Sequence, residues 1–279
     1  MDFLTFATNH GLIIEHLDYG RIVRCKTQSH RSKQNGAYYY AGDWGWCMDW
    51  AADNVINLWR ADGVIDDDDF KKQVKQSTQK YKKDRAKLNA RASKEANELL
   101  GKCKLELSPY LAKKGFPDMC ANVMVEDGEK PVLIVPMYKN NELVGCQKIS
   151  YDGDKKFIYG QITNDACFII GNGKKIFFVE GYVSGLSLHQ ILQVLKIDCK
   201  IYVCFSAQNL LRFAKRIDGI VIADNDESGT GERVAKESGR NWWMPPKVGY
   251  DINDYHLEAG IFRVSQELKK VLYTRNEIV

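Results

Sequence analysis

Apolar residues in the second half of the chain fall in short runs separated by stretches with helical spacing. The runs lie at residues 176–179, 201–205 and 220–223, and the helical stretches at 184–195, 207–216 and 229–239. Four or five consecutive apolar residues are typical of a buried strand, and longer amphipathic stretches are typical of helices. Strands that alternate with helices predict a parallel sheet with right-handed crossovers. We therefore expect residues 174–279 to form an α/β domain that ends in a C-terminal helix.

The pattern before residue 174 is different. Apolar runs at residues 132–135 and 143–149 flank Asn140-Asn141, which predicts a hairpin, and a further short strand is predicted at 157–159. Residues 107–173 are therefore predicted to form a small α+β subdomain. Residues 1–60 are rich in aromatic residues and punctuated by glycine, including Tyr38-Tyr39-Tyr40, Trp44, Trp46 and Trp50. This composition predicts a strand-rich N-terminal module.

A basic stretch connects these two parts of the chain. Between Lys71 and Lys104 there are 12 basic and 3 acidic residues, with no proline and no glycine before Gly101. This predicts a long basic helix within a connector of residues 61–106, either solvated or in contact with nucleic-acid phosphates. The four aspartates at 66–69 are expected to form a solvated turn or the N-terminus of that helix.

Composition excludes several classes of protein. The chain has 279 residues, of which 44% are hydrophobic and 27% charged, with a net charge of +4, so a buried core is expected rather than disorder. No run approaches the roughly 20 apolar residues that cross a bilayer, and no secretory signal is evident, so we expect a cytoplasmic protein with no membrane partner. The eight cysteines form no C-x-x-C pair and are expected to be reduced thiols. His16, Cys25, His30 and Cys47 lack zinc-ligand spacing, so no zinc is predicted.

Carboxylates follow two of the predicted parallel strands. Glu180 comes directly after the run that ends at Val179, and Asp224 and Asp226 come directly after Ala223. Ligands of such sheets bind at the carboxyl ends of the strands. Residues two apart in extended chain point the same way, so the two aspartates are expected to converge and repel unless a cation neutralises them. Hard oxygen ligands suit Mg²⁺ or Mn²⁺, whereas the same aspartates as helix caps are the alternative.

These residues, taken in order, carry a family resemblance. The segments Val179-Glu180-Gly181-Tyr182, Ser184-Gly185, Asn209-Leu210 and Ala223-Asp224-Asn225-Asp226 with Ser228-Gly229 resemble a Toprim domain. The segment at 249–254 resembles the tail motif of Toprim primases of phages and plasmids, and the stretches at 109–115, 135–137 and 147–157 resemble the subdomain that precedes Toprim in those primases. The resemblance covers about residues 107–260.

The resemblance implies a DNA primase that makes short RNA primers on single-stranded DNA from ribonucleoside triphosphates. It also implies a Toprim-like parallel sheet flanked by helices. Glu180, Asp224 and Asp226 would be its catalytic, metal-binding residues. Ser184 departs from the bacterial housekeeping pattern, which has an aspartate there, so Asp251 or Asp254 is a candidate substitute ligand. Both of these could equally cap a helix.

Basic and aromatic residues supply candidate contacts to nucleic acid or nucleotide. Lys148, Lys155 and Lys156 cluster beside an Asp-Gly turn, and Asn209 belongs to the resemblance. Arg24 and Lys26 lie in the basic tract at residues 21–33, next to aromatic residues that either stack on unpaired bases or form the core of the N-terminal module.

Two other functions are compatible with the same residues, and one protein partner is expected. The same metals and carboxylates would serve a Toprim nuclease that attacks with water, and a degenerate site would leave a non-catalytic single-stranded-DNA-binding accessory protein. A topoisomerase is disfavoured by the length of the chain. No G-x-x-x-x-G-K-[ST] loop occurs, so a separate replicative helicase is the expected partner.

Overall fold

The structure, a computed structural model, describes residues 1–29, 31–32, 34–49, 55–61, 67–125 and 130–273. The predictions that concern His30, Trp50, Asp66 and the last six residues lie outside this part of the chain. The chain is mixed α/β and divides into two compact units, Met1–Tyr81 and Lys82–Val279. The division falls inside one long helix. No helix in the described ranges is long and apolar enough to cross a membrane.

The first unit contains a short helix, a five-stranded antiparallel sheet and the first part of the long helix. The sheet has the order β1-β2-β3-β4-β5. The elements are α1 (Phe3–Asn9), β1 (Leu12–Ile13), β2 (Ile22–Thr27), β3 (Gly36–Tyr40), β4 (Trp44–Asp49) and β5 (Asn57–Arg60). The predicted short strands are therefore present. The sequence pattern gave no sign of α1, because its seven residues are too few for a helical periodicity. Asp2 caps it by accepting from the Thr5 amide at 2.7 Å.

The core of the first unit lies on one face of this sheet. Phe3 and Ala7 of α1 pack against Cys25, Tyr38 and Trp59. The Tyr38 hydroxyl donates to the His16 carbonyl at 2.8 Å, and the Trp59 indole donates to the Met1 carbonyl at 2.8 Å. The buried aromatic residues of this module are therefore partly core, which was one of the two roles open to them.

The basic stretch forms one helix, as predicted. Helix α2 (Asp67–Lys102) begins inside the aspartate run, where carboxylates favour the positive end of the helix dipole. In its second half, Ala92 and Ala96 are buried against Ile134, Cys146 and Ile158. Small residues four apart let the helix approach the sheet of the second unit closely.

The second unit contains two five-stranded sheets. The first is antiparallel, with the order β10-β9-β8-β7-β6, and includes the predicted hairpin, whose turn residues Asn140 and Asn141 both have positive φ. Its elements are β6 (Lys104–Leu107), α3 (Pro109–Lys113), β7 (Cys120–Met124), β8 (Val132–Lys139), β9 (Glu142–Ile149) and β10 (Lys155–Phe157).

The other sheet of the second unit has the order β11-β13-β12-β14-β15. Strand β12 pairs in parallel with β13 and β14, β14 pairs in parallel with β15, and β11 is an antiparallel edge. The elements are β11 (Phe168–Ile170), β12 (Lys175–Val179), α4 (Tyr182–Val194), β13 (Cys199–Val203), α5 (Ala207–Arg216), β14 (Ile220–Ile222), α6 (Thr230–Ser238), β15 (Trp242–Trp243), α7 (Ile252–Ala259) and α8 (Ile261–Tyr273). The predicted strands and helices between residues 176 and 239 are all present, with ends within two residues.

The core of the second unit joins its two sheets. Leu133, Val135 and Met137 of β8 are buried in the same cluster as Phe177 and Val179 of β12. The central position of β12 buries its apolar run on both faces, which is why the run reads as continuous in the sequence. The next residue, Glu180, is thereby held at the carboxyl end of the middle strand.

Candidate active site

Two of the predicted site carboxylates lie at the carboxyl ends of neighbouring parallel strands. Phe178 of β12 pairs with Val221 of β14, so the chain leaves both strands at the same edge. Glu180 follows β12 directly, and Asp224 lies two residues after β14. Both residues are half-buried. The sheet therefore brings these two acids together, as their positions in the sequence predict.

The Glu180 carboxylate lies at the start of a helix. The Ala207 amide, in the first turn of α5, donates to it, while Ser206 caps that helix by accepting from the Asn209 amide at 3.2 Å. Burial raises the pKa of Glu180, the charge of Lys155 lowers it, and that of Asp226 raises it. Burial has the largest effect, so the glutamate holds a proton more readily than an exposed one.

The pKa of Asp224 is raised further, to about 8. Burial is the main cause, followed by the negative charges of Asp251 and Glu180, whereas Lys155 opposes the shift. Burial and like charges disfavour the charged form of an acid. A neighbouring cation stabilises that charged form. The electrostatics of this edge therefore favour a bound positive charge.

Asp226 is held by the loop that enters α6. Its carboxylate accepts from the Thr230 amide at 3.1 Å, the Gly231 amide at 2.7 Å and the Ser228 hydroxyl. Burial alone would raise its pKa, but these hydrogen bonds outweigh burial and lower it. Asp226 thus has the capping role that was one of its two predicted interpretations.

Gly231 is a supporting residue that sequence reasoning missed. A Cβ at this position would collide with the carbonyl oxygen of Asp224. The absence of a side chain lets the first turn of α6 approach the end of β14, which brings the Gly231 amide to Asp226. The signal in the sequence is Gly229-x-Gly231 directly after the aspartate pair.

Asp251 and Asp254 form a capping box at the start of α7. The Asp251 side chain accepts from the Asp254 amide at 2.9 Å, and the Asp254 side chain accepts in return from the Asp251 amide at 3.4 Å. Asp254 also pairs with Lys114 at 3.1 Å. The second oxygen of Asp251 accepts from the Ser184 hydroxyl at 3.1 Å. Ser184, where the resemblance led us to expect an aspartate, thereby holds the side chain of Asp251.

Both oxygens of Asp226 and of Asp251 accept hydrogen bonds from the protein itself. Within the described ranges, no group of three His, Cys, Asp or Glu residues is arranged to hold a metal ion. Asp226 Oδ1 accepts two of these hydrogen bonds, from Ser228 and Thr230, whereas Asp226 Oδ2 and each Asp251 oxygen accept one and retain a lone pair for a second partner. Glu180 and Asp224, with their hard oxygens and mutual repulsion, have the chemistry that suits a divalent cation.

The three lysines predicted to contact nucleotide do not form one cluster. Lys156 of β10 pairs across the sheet with Lys148 of β9, so both lie on one face, and Lys155 lies on the other because successive strand residues alternate. Lys148 approaches Glu95 of α2 at 3.9 Å. Lys155 acts electrostatically on both Glu180 and Asp224. The three lysines therefore do not share one face, and of the three it is Lys155 that lies beside the acids; their contact with nucleotide stays a prediction.

Asn209 is buried inside the fold. It is 4% exposed, and its amide donates to the carbonyls of Ala166 and Cys204 at 2.7 and 2.9 Å, while its oxygen accepts from the Asp165 amide at 2.8 Å. These internal hydrogen bonds give Asn209 a structural role, and its contact with nucleotide stays a prediction. It fixes the segment before β11 to α5.

The other predicted contacts, Arg24 and Lys26, belong to the first unit. Both are exposed on β2; the Arg24 guanidinium donates to the Gln34 carbonyl, and Lys26 pairs with Glu15 at 3.5 Å. Cys25 and Cys47 are buried, and burial raises the pKa of Cys25 to about 11. The role of Arg24 and Lys26 in nucleic-acid binding stays a prediction.

Neither a protein-family model nor a curated protein sequence matches the chain. A chain in one solved structure is similar to it, with 18% identity over 55% of this chain and 81% of that chain and a TM-score of 0.41. That structure contains the bacteriophage T7 lagging-strand DNA polymerase interacting with the primase domains of two gp4 subunits, bound to an RNA/DNA hybrid and dTTP.

Proposed function

We propose that the chain is a DNA primase of the Toprim class, which joins ribonucleoside triphosphates on a single-stranded DNA template. The observation that carries the proposal is the pairing of Glu180 and Asp224 at the ends of adjacent parallel strands, with Asp226, Asp251 and Lys155 acting on them. This edge of the sheet carries excess negative charge with Lys155 beside it. Such a surface suits a nucleotide triphosphate bound together with divalent cations.

Glu180 and Asp224 are the residues that would hold Mg²⁺ or Mn²⁺, with Asp226 and Asp251 as neighbours. A divalent cation bound there supplies neutralising charge for the triphosphate and for the attacking 3′ hydroxyl. The alternative role for Glu180, whose pKa is raised by burial, is to accept the proton of that hydroxyl instead of holding the metal. The oxygen attacks the α-phosphorus, the bond to the β-phosphate oxygen breaks, and pyrophosphate leaves.

Lys155 has the position to balance negative charge beside the two acids. Its ammonium group is near the Gly181 turn, 4.0 Å from where a Cβ of Gly181 would be. A cation beside the acids would stabilise negative charge on a triphosphate bound there. Lys156, which faces away, provides a matched comparison of the same residue type one position along the strand.

Primer synthesis tests this proposal directly. The full chain is incubated with single-stranded templates, four ribonucleoside triphosphates and Mg²⁺ or Mn²⁺, and labelled short RNA is measured. Glu180→Gln and Asp224→Asn should abolish synthesis while the cooperative unfolding of each variant is retained. Undiminished synthesis by both folded variants would refute the proposal.

A non-catalytic role in single-strand binding is the second candidate. It is favoured by the internal hydrogen bonds of Asp226 and Asp251, which occupy part of their metal-binding capacity. It predicts template binding with strong salt dependence and no response to metal. Degradation of labelled strands with Mn²⁺ in the absence of nucleotides would instead indicate a nuclease. Co-purification with a helicase tests the proposed partner separately.

A further inference from the structure

The antiparallel sheet of the second unit has one edge strand, β6, that is exposed along its whole length. β6 pairs with β7 and, among the described strands, with no other. All of its residues are exposed, including Leu105 at 73% and Leu107 at 56%. An edge strand presents unpaired backbone N–H and C=O groups, onto which another strand can add. We call the residues Lys104–Leu107 the open edge.

The open edge has little that would keep another strand away. Proline, a β-bulge and charged side chains are the usual means of protecting such an edge. β6 contains no proline, and its register against β7 is continuous. Its two charges, Lys104 and Glu106, have opposite signs, so together they repel only a strand that presents like charges to both. Neither of them has a charged partner among the residues that the structure describes.

The open edge is complementary to a second copy of itself. Two identical edge strands related by a two-fold axis perpendicular to the sheet pair antiparallel. When the axis passes through Leu105, Lys104 of each copy lies opposite Glu106 of the other, and the two Leu105 side chains lie opposite each other. Opposed unlike charges and opposed apolar side chains both stabilise a sheet. Each charged side chain thereby gains the partner that it lacks in a single copy.

Other registers of the same two strands lack this complementarity. An axis through Glu106 opposes two glutamates, and an axis through Lys104 opposes two lysines, which is destabilising in both cases. A shift by a single residue places leucines opposite charged residues, because the side chains alternate between the faces. An axis through Leu107 carries each strand into Pro109 of the other copy, where α3 begins. The charges and the apolar residues therefore select the register centred on Leu105.

We propose that the chain forms a symmetric dimer through the open edges of two copies, which joins two five-stranded sheets into one continuous sheet. Because β6 has only four residues, the pairing buries less area than a typical stable interface. We therefore expect a dissociation constant in the range of about 1–100 μM. The dimer goes beyond the proposed function and does not depend on catalysis.

Sedimentation velocity of the full chain at concentrations of about 1–500 μM tests the dimer. The unmodified chain should shift from monomer to dimer over this range. Leu105→Glu should abolish the dimer, because it opposes two like charges at the two-fold axis, and it leaves the monomer folded because Leu105 is largely exposed. Phe262→Glu makes the same kind of change at a residue of α8 that is also 73% exposed, and should dimerise like the unmodified chain.

Charge reversal tests the register. Lys104→Glu alone, or Glu106→Lys alone, converts both unlike pairs of the dimer into like pairs, so each should raise the dissociation constant at least about tenfold. The double variant Lys104→Glu/Glu106→Lys restores two unlike pairs with their signs exchanged. It should dimerise within about twofold of the unmodified chain. This rescue is specific to a pairing that opposes residues 104 and 106.

Hydrogen exchange reports on the backbone pairing itself. Amides in residues 104–107 should exchange more slowly at concentrations above the dissociation constant than below it. A chain that stays monomeric throughout would overturn the proposal, as would a dimer that Leu105→Glu leaves intact. A double variant no better than the single ones, or exchange that is independent of concentration, would equally contradict it. None of these measurements uses primer synthesis, so the outcome is independent of the proposed function.

Discussion

Asn225 and Tyr250 form an isolated antiparallel bridge, in which the Asn225 amide donates to the Tyr250 carbonyl at 2.9 Å. Asp224 precedes the first residue and Asp251 follows the second, so the bridge sets the two aspartates opposite each other. After burial, the charge of Asp251 is the largest cause of the raised pKa of Asp224. A single backbone pairing thereby links the end of β14 to the start of α7 and gathers the acids of the candidate site.

The stability of the metal-free protein should depend on the protonation of Asp224. Its folded pKa, about 8, lies above its ordinary value of 3.8, so the folded state favours the neutral acid. The associated stability is fully present below about pH 4 and is lost as the pH rises through 8. Asp224→Asn should therefore be equally stable at pH 4 and more stable at pH 9, by roughly 2–5 kcal/mol. Urea unfolding at both pH values measures this.

A difference between the two proteins that is the same at pH 4 and pH 9 would show that Asp224 titrates normally. Addition of Mg²⁺ at pH 9 is the control. It should raise the unfolding midpoint of the unmodified protein more than that of Asp224→Asn, because a cation that binds only the folded state stabilises it.

Gly231 should tolerate no side chain. Gly231→Ala forces a Cβ against the Asp224 carbonyl, so we expect a loss of about 1–3 kcal/mol in unfolding free energy and a loss of primer synthesis. Gly101→Ala, near the end of α2, meets no atom within 4 Å and should be neutral or stabilising by up to about 1 kcal/mol. Thermal unfolding measures the change in stability of each variant. Equal changes for Gly231→Ala and Gly101→Ala would contradict the steric argument.

The elements around the site were predictable, because their apolar runs are continuous and their helices are clearly delimited. The helix at 207–216 was predicted with the ends that the structure gives. Strands β6, β7, β11 and β15 were not predicted. Most of them are short or lie at sheet edges, and β6 has no buried side chain. Their conformation depends on tertiary pairing that leaves no local pattern in the sequence.

The positions of the acidic residues of the candidate site were predictable from the sequence, whereas those of the residues around them were less so. Glu180 and Asp224 directly follow apolar runs, and the carboxyl ends of parallel strands lie along one edge of the sheet. The faces of Lys155 and Lys156 depend on the register of β10 against β9, since a shift of one residue exchanges them. The burial of Asn209 was equally hidden, because a polar residue in a helix has no sequence mark that tells whether it faces inward.

Lys155 and Lys156 should differ in their effect on nucleotide use. Lys155→Ala removes the cation that offsets charge at Glu180 and Asp224, so we expect at least about a tenfold lower kcat/KM for ribonucleotides. Lys156→Ala, on the opposite face, should change this value less than about twofold. Steady-state synthesis at varied nucleotide concentration measures both, and equal losses would place the two lysines in one nucleic-acid contact.

Ser184 and Asp251 should be energetically coupled. Ser184→Ala removes the hydroxyl that donates to Asp251 at 3.1 Å, and we expect a cost of about 1–2 kcal/mol. In the background of Asp251→Asn the same change should cost less, because the charged acceptor is gone. A double-mutant cycle in urea unfolding measures the coupling, and strict additivity would mean that the hydrogen bond contributes nothing.

The most direct test of the account is the rate at which the full chain forms a dinucleotide on single-stranded DNA as Mn²⁺ is titrated. The account predicts synthesis that saturates with the metal, and a loss of at least about a hundredfold in Asp224→Asn that no Mn²⁺ concentration restores. Synthesis that proceeds without divalent metal, or that is equal in the folded Asp224→Asn variant, would contradict it.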